Sequence, residues 1–226
     1  MDEMLEEIEN YKNPKVTLTS EAGPSIADYA LPCTLIEAKR AYPNHKYELL
    51  TSFSDEIITD VENNICDVGF TYRTQFANKG GVDILSTKTG TNRIVLVGLY
   101  DENIPDEMSV EELLNACIIT FTSRSEITNS LFRNLNKLGY NKNNINCKLE
   151  VEGIEGAKML VTRKYGLAFL PYISVKEELY KKQFKEIKVP GFNMDLEVDI
   201  VFKKNPSEHV KEFVAWFSKK GANSFC

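Results

Sequence analysis

No stretch of the 226-residue chain approaches the ~20 consecutive apolar residues that a membrane-spanning helix needs. Histidine is scarce, with only His45 and His209, and tryptophan occurs once. A hydrolytic triad needs a base beside its nucleophile. His45 lies in a Pro-Asn-His-Lys turn and His209 near the start of the last predicted helix, and neither neighbours a plausible nucleophile in sequence. There is no P-loop, no GxGxxG, no HExxH and no Cys/His cluster at zinc spacing. These gaps argue against an enzyme and call for no cofactor or metal. Positive charge is also short. With 27 Lys+Arg against 33 Asp+Glu the net charge is -6, and the only basic clusters are brief, such as Lys181-Lys182 and Lys203-Lys204. A duplex-binding surface shows a basic stripe, so direct DNA contact by this chain is not expected. The N-terminus, Met1-Asp2-Glu3-Met4-Leu5-Glu6-Glu7, is acidic and unlike a secretory signal, which points to the cytoplasm.

Hydrophobic residues make up 42% of the chain and charged residues 27%, values of an ordinary globular protein rather than a disordered or fibrous one. Residues 1 to 12 read as the end of a polar helix stopped by Pro14. A strand through Val16 and Leu18 follows, then a helix capped by Ser25 and carrying Ile26, Tyr29, Ala30 and Cys33. Pro32 is expected to bend that helix, because it offers no N–H to the ladder. Tyr47, Leu49 and Leu50 mark the next strand. A helix opened by Ser54 carries Ile57, Ile58, Val61 and Ile65, and Asp67-Val68-Gly69-Phe70 is a third strand. This β-α-β-α-β order is that of a parallel sheet with right-handed crossovers.

After a loop with Gly80-Gly81 and a buried strand at Ile94-Val95-Leu96-Val97, the pattern starts again. Ser109 and Glu112 form a capping box. A strand at Ile118, Ile119 and Phe121 leads to a helix capped by Ser125, which ends at Gly139. Leu149 and Val151 form a strand before a helix over about 154–163, and Leu167 to Pro171 is a short apolar strand. Ser174 and Glu177 form another capping box. Strands around Ile187 and Val198 to Val201 precede a helix with Val210, Phe213, Val214 and Phe217 on one face. The fold class is therefore α/β, with two Rossmann-like subdomains, a ligand cleft between them and two crossover segments. Open α/β sheets bind ligands beyond the carboxyl ends of their strands. The loops there carry Ser25, Ser54, Ser125 and Thr128, and several helix N-termini together favour a small anion. Each hydroxyl has the alternative task of capping its own helix. Arg73 and Arg124 are the cations able to clamp a carboxylate, with a solvated surface role as the alternative.

Ser25-Ile26-Ala27-Asp28-Tyr29-Ala30-Leu31-Pro32, followed by Tyr42-Pro43, resembles the opening of LysR-type effector-binding domains. Ser54-Asp55-Glu56-Ile57-Ile58 with Asn64 to Gly69 resembles that family's second helix and the strand after it. Tyr165-Gly166-Leu167-Ala168-Phe169-Leu170-Pro171 resembles its Gly-hydrophobic-Leu-Pro element, and the likeness spans about residues 15 to 217. It implies a type 2 periplasmic-binding-protein fold. Residues 1–13 would end a linker helix, 14–93 with 197–226 would form subdomain I, and 94–196 subdomain II. It further implies a small metabolite held between the subdomains, a homodimer, a tetramer of the full regulator, and DNA contact only through a winged helix-turn-helix absent from this sequence. Carried over position by position, Ser25, Ser54 and Thr128, with Ser125 just before it, match the family's effector-contacting hydroxyls. The chain departs from the pattern at Pro24, where another hydroxyl is common, and at Glu152-Gly153-Ile154-Glu155, where carboxylates replace hydroxyls. Carboxylates there would accept an amino group, which extends the expected ligand from an anion to a zwitterion such as an amino acid derivative. The alternative is that Glu152 and Glu155 face solvent and favour the helix dipole.

Two other functions use the same residues. A solute-binding protein for a small carboxylate or amino acid would share the fold. Of the five cysteines, Cys33, Cys66, Cys117, Cys147 and Cys226, a thiol-based redox sensor would use Cys117 and Cys147, which both fall in the second subdomain but do not match the short loop arrangement of the family's peroxide sensors. The odd number and wide spacing of these cysteines favour free thiols in a reducing compartment.

Overall fold

The computed structural model describes residues 16–74, 83–101 and 103–220. The expected linker-helix end, the Gly80-Gly81 loop and Cys226 lie outside the described residues. The chain divides into two compact units, one running to Thr91 and resuming at Glu197, the other from Asn92 to Leu196.

In the first unit, β1 (Val16–Ala22), β2 (His45–Thr51), β3 (Val68–Tyr72), β4 (Ile84–Asn92) and β10 (Leu196–Lys203) form one sheet in the order β2-β1-β3-β10-β4. β1 pairs in parallel with β2 and β3, and β10 runs antiparallel to β3. Helices α1 (Pro24–Tyr29), α2 (Leu31–Ala41), α3 (Ser54–Glu62) and α8 (Glu208–Lys220) belong to the same unit. The second unit repeats the plan. β5 (Ile94–Leu99), β6 (Ile118–Phe121), β7 (Cys147–Val151), β8 (Leu167–Pro171) and β9 (Phe184–Ile187) take the order β7-β6-β8-β5-β9. Here β6 pairs in parallel with β7 and β8, and β5 is the antiparallel member. Its helices are α4 (Val110–Asn115), α5 (Glu126–Lys137), α6 (Ile154–Thr162) and α7 (Tyr172–Tyr180). Both sheets thus have three parallel strands in the order second-first-third, then an antiparallel strand, then an edge strand. The two Rossmann-like α/β units expected from the sequence are present.

Side-chain periodicity explains the packing. Val210, Phe213, Val214 and Phe217 recur at helical spacing and are buried on one face of α8. Phe217 meets Phe70 of β3 at 4.8 Å between ring centroids. On the other face of that sheet Ile57 and Val61 of α3 join Cys66, Ile84 and Val201 in a buried cluster. Gly69 lets α3 come close, since a Cβ there would lie 2.2 Å from Ile57 Cγ2 and 2.8 Å from Val201 Cγ2. In the second unit α5 buries Ile127, Leu131 and Leu135. It ends with Gly139 at φ 86°, which lets the Tyr140 N–H return to the Leu135 carbonyl at 3.0 Å.

Several local expectations change. Pro32 does not bend one helix, because the helix breaks at Ala30 and Pro32 stands in the first turn of α2, where a missing N–H does no harm. Cys33, expected on the apolar face, is exposed. Ser174 and Glu177 do not form a capping box. α7 starts at Tyr172, three residues before the Val175 that a Ser174 cap would place first, and the Ser174 hydroxyl donates to the Pro171 carbonyl at 2.7 Å. β4 was not expected at all. Its residues are mostly polar, and one of its few buried side chains, Thr89, donates its hydroxyl to the Val198 carbonyl at 3.0 Å. Replacing Gly69 with Ala should destabilise the protein by about 1–3 kcal/mol through overpacking. Gly153→Ala, at φ -105° with no atom within 4 Å of the added carbon, should stay within about 0.5 kcal/mol. Urea denaturation of the two variants checks the contrast.

Candidate functional site

Parallel pairing sets the carboxyl ends of β1, β2 and β3 at one edge of the first sheet, with Ala22 opposite both Thr51 and Phe70. The Ser52 N–H donates to the Ala22 carbonyl at 3.0 Å, joining the two loops that follow. Ser25 does not cap its helix. Gly23 is the cap residue, Pro24 occupies the first turn, and Ser25 is buried within α1. Its hydroxyl meets the Tyr72 hydroxyl at 2.8 Å. Tyr72, the last residue of β3 and only 6% exposed, is a neighbour of Ser25 that the sequence reading did not single out. Its position after an apolar strand at a parallel strand end was the available signal. Ser54 is the first residue of α3, after Phe53, and is half-buried.

Arg73 follows Tyr72 at the same edge. Its guanidinium donates Nε and Nη2 to Asp199, the latter at 2.8 Å, and Nη1 to Glu197 at 2.8 Å. Lys88 pairs with the other oxygen of Glu197. Hydrogen bonding to Asp199 holds Arg73 above its ordinary range. Asp199 is almost fully buried, so this pair ties the end of β3 to β10 and engages much of the cation's donor fork.

In the second unit the Thr122 N–H donates to the Val151 carbonyl at 3.2 Å, joining the ends of β6 and β7. Thr128 is buried in the first turn of α5. Its hydroxyl donates to the Phe121 carbonyl at 2.9 Å and accepts from the Phe121 N–H at 3.0 Å. Its donor is thus used to seat α5 on β6. Ser125 is the cap residue of α5, yet its side chain makes no cap hydrogen bond. Glu155, in the first turn of α6, is exposed and shares Lys158 with Glu178 at 3.1 and 2.6 Å. Glu152 is exposed. At the end of β8 the Arg93 guanidinium lies 4.7 Å over the Tyr172 ring, a cation at a strand end that the sequence reading did not single out.

Other chemistry is sparse. His45 stacks on Tyr42 at 5.3 Å and meets His209 edge-on at 6.5 Å. Burial, then His209, lowers the His45 pKa. His209 Nε2 lies 3.1 Å from the Ser207 hydroxyl, a neighbour the sequence reading passed over, and the contact is exposed and local to the start of α8. Among the described residues no group of His, Cys, Asp and Glu could hold a metal ion, and no helix is long and apolar enough to cross a membrane. Cys33, Cys66 and Cys117 are free thiols. Burial, reinforced by Glu21, Asp60 and Asp67, pushes the Cys66 thiol upward.

Each of the two α/β units carries hydroxyls and helix starts at its parallel strand ends. The family model described as the LysR substrate binding domain matches residues 14–222. The chain belongs to that family, the ligand-sensing domains of LysR-type transcriptional regulators. No curated protein matches the sequence. Among solved structures, the Synechocystis PCC6803 CcmR regulatory domain in complex with 2-PG is similar, with TM-score 0.80 at 14% identity, over 92% of this chain and 99% of that one. The effector-binding domain of QuiR in complex with shikimate gives TM-score 0.77 at 15% identity, over 93% and 99%. A Corynebacterium glutamicum OxyR mutant, bound to H2O2, gives 0.78 at 11%, over 99% and 69%. These identities speak for the shared fold.

Removing the Arg73 side chain leaves Asp199 buried without its main partner. Arg73→Ala should therefore cost about 1–3 kcal/mol. Arg73→Ala with Asp199→Ala should recover part of that loss in urea denaturation, whereas additive losses would show that the pair is not a unit.

Proposed function

We propose that the chain binds a small anionic metabolite, a carboxylate or an amino acid derivative, at the loops after its parallel strands. This binding controls transcription by a cytoplasmic LysR-type regulator. The observation that carries the reading is a contrast between helix starts. α4, which follows no parallel strand, is closed by Ser109 and Glu112, whose side chains bond each other's N–H groups at 3.2 and 2.7 Å. α5 and α6 follow β6 and β7, and their cap residues Ser125 and Gly153 provide no side-chain cap hydrogen bond, whereas at α3, after β2, Glu56 reaches back to the Phe53 N–H at 3.4 Å. First-turn N–H groups have no intrahelical partner and carry the positive end of the dipole, which suits an anion. Ser25 with Tyr72, Ser54 and Ser125 are the proposed contacts, with Thr128 seating α5 beside them and Pro24 shaping the first loop. Arg73 supplies field more than a clamp, because Asp199 and Glu197 already engage it. The ligand of the QuiR domain, shikimate, is a small carboxylate of the class proposed here.

The amino acid arm of the proposal rests on Glu152 and Glu155. Lys158 lies beside Glu155 and reduces its pull on a ligand ammonium group. DNA reading is assigned to a separate winged helix-turn-helix, in keeping with the net charge of -6. Calorimetric titration with small carboxylates and amino acids tests the ligand. One class should bind, and Ser54→Ala or Ser125→Ala should weaken it about tenfold, the worth of one hydrogen bond. Binding unaffected by either change would remove those loops from the site. No binding across the panel would overturn the anion reading.

The proposal includes a homodimer, paired into a tetramer in the full regulator. An exposed face of the first unit supports it. β2 is an edge strand, and beside it runs a groove of about 900 Å³ lined by Pro32, Leu35, Ile36, Tyr47 and Leu49. Ile36 is 54% exposed. Unpaired strand edges and apolar patches are surfaces that partners cover. Ile36→Glu should move the protein towards monomer in sedimentation equilibrium, and an unchanged dimer would place the interface elsewhere.

A further inference from the structure

Glu21 is the penultimate residue of β1 and is 4% exposed. Asp60 on α3 is the charged group that acts on it most strongly, and Glu21 Oε2 is buried with no hydrogen-bond partner. Two carboxylates repel, so a hydrogen bond between them requires a proton on one. Strand alternation and register give the surroundings. On β3, Gly69 stands opposite Glu21, and Thr71, two residues on along the same face, is wholly buried with its hydroxyl also unpartnered. On β2, Leu50 stands opposite, with Glu48 and Lys46 further along that face and paired to each other. α3 contributes Glu56 besides Asp60, and the segment before β3 contributes Cys66 and Asp67. Asp199 lies beyond, opposite Thr71 and bound to Arg73. Lys46 and Arg73 are each paired to carboxylates, and no cation is among the groups that shift Glu21.

We propose that Glu21 and Asp60 form a proton-operated brace between β1 and α3, closed while the Glu21 O–H donates to the Asp60 carboxylate and loosened when that proton leaves to solvent. The brace spans the two elements whose ends carry the first unit's candidate loops. β1 ends one residue later at Ala22, and α3 begins at Ser54, with the Ser52 N–H to Ala22 carbonyl bond between them. Burial first, then the Asp60 charge, pushes the Glu21 carboxyl up to about 7. A raised carboxyl pKa contributes stability that is fully present below the ordinary value of 4.5 and is lost as the pH rises through about 7. His45 works in the opposite sense. Its lowered pKa removes stability as the pH falls below its ordinary 6.5, so the net slope of the wild type alone does not report Glu21.

The difference between the wild type and Glu21→Gln does report it. Gln keeps the shape and the donor of the protonated acid but does not titrate. Urea unfolding of the whole chain between about pH 5 and pH 8 should show the wild type losing stability relative to Glu21→Gln. The relative unfolding constant should rise about tenfold for each unit by which the Glu21 pKa is raised. Asp60→Asn should shrink the loss, because it removes the repelling charge. Parallel curves for wild type and Glu21→Gln would overturn the brace. Carboxyl ¹³C shifts of Glu21 in the folded wild type offer a second measure that needs no variant. An inflection near neutrality supports the brace, and one in the ordinary carboxylate range overturns it. Neither measurement requires the ligand, so both stand whether or not an anion binds the loops.

Discussion

Parallel pairing of β1 with both β2 and β3 is the constraint on which the candidate site of the first unit depends. Parallel neighbours cannot be joined by a hairpin, so the carboxyl ends of β1 and β2 release the chain into loops and the helices α1 and α3. Three such ends side by side bring Ser25, Ser54, Tyr72 and Arg73 to one edge although they are spread over 48 positions from first to last. The second sheet repeats the arrangement with β6, β7 and β8. In each sheet the antiparallel strand stands beside the third parallel strand. It is β5 where the chain enters the second unit and β10 where it returns to the first.

Polar groups at those edges divide by what already occupies them. Thr128 is bonded in both directions to Phe121, and Arg73 is bonded to two carboxylates. Both shape the edge more than they offer contacts to a ligand. Ser125 is different, because its side chain makes no cap hydrogen bond and so is not committed to its own helix start. The completed box at α4 closes that helix start with side chains, as Ser125 does not at α5.

The fold was legible because its signals are strong in one dimension. Helical spacing in α8 and apolar runs at β3, β5 and β8 each admit one reading. β4 was hidden because its side chains are mostly polar, and a strand defined by what its backbone pairs with leaves little hydrophobic pattern. The start of α7 was misread because Ser174 and Glu177 fit a capping box by type, while the cap is Pro171, three residues before Ser174. At the edges, sequence identified the loops better than the work of each side chain. Ser25 has the composition of a cap, and only the structure shows its hydroxyl turned to Tyr72. Arg73 looked like a free clamp because Asp199 is 126 residues away. No local pattern announces such a partner, and the same holds for Glu21 and Asp60.

The carboxyl pair and the candidate loops are linked by ordinary electrostatics. Glu56 and Asp60 lie along α3, whose first residue is Ser54, and Glu21 lies on the strand that ends beside it. Negative charge there opposes an anion at the start of α3, with little intervening water to screen it around Glu21. A proton on Glu21 removes one of these charges and at the same time closes the brace that holds α3 against β1. A bound anion would in turn favour that proton, since the preference is reciprocal by linkage. In this fold the acidity of the buried face therefore bears on the affinity of the exposed edge, although Glu21 itself need never touch the ligand.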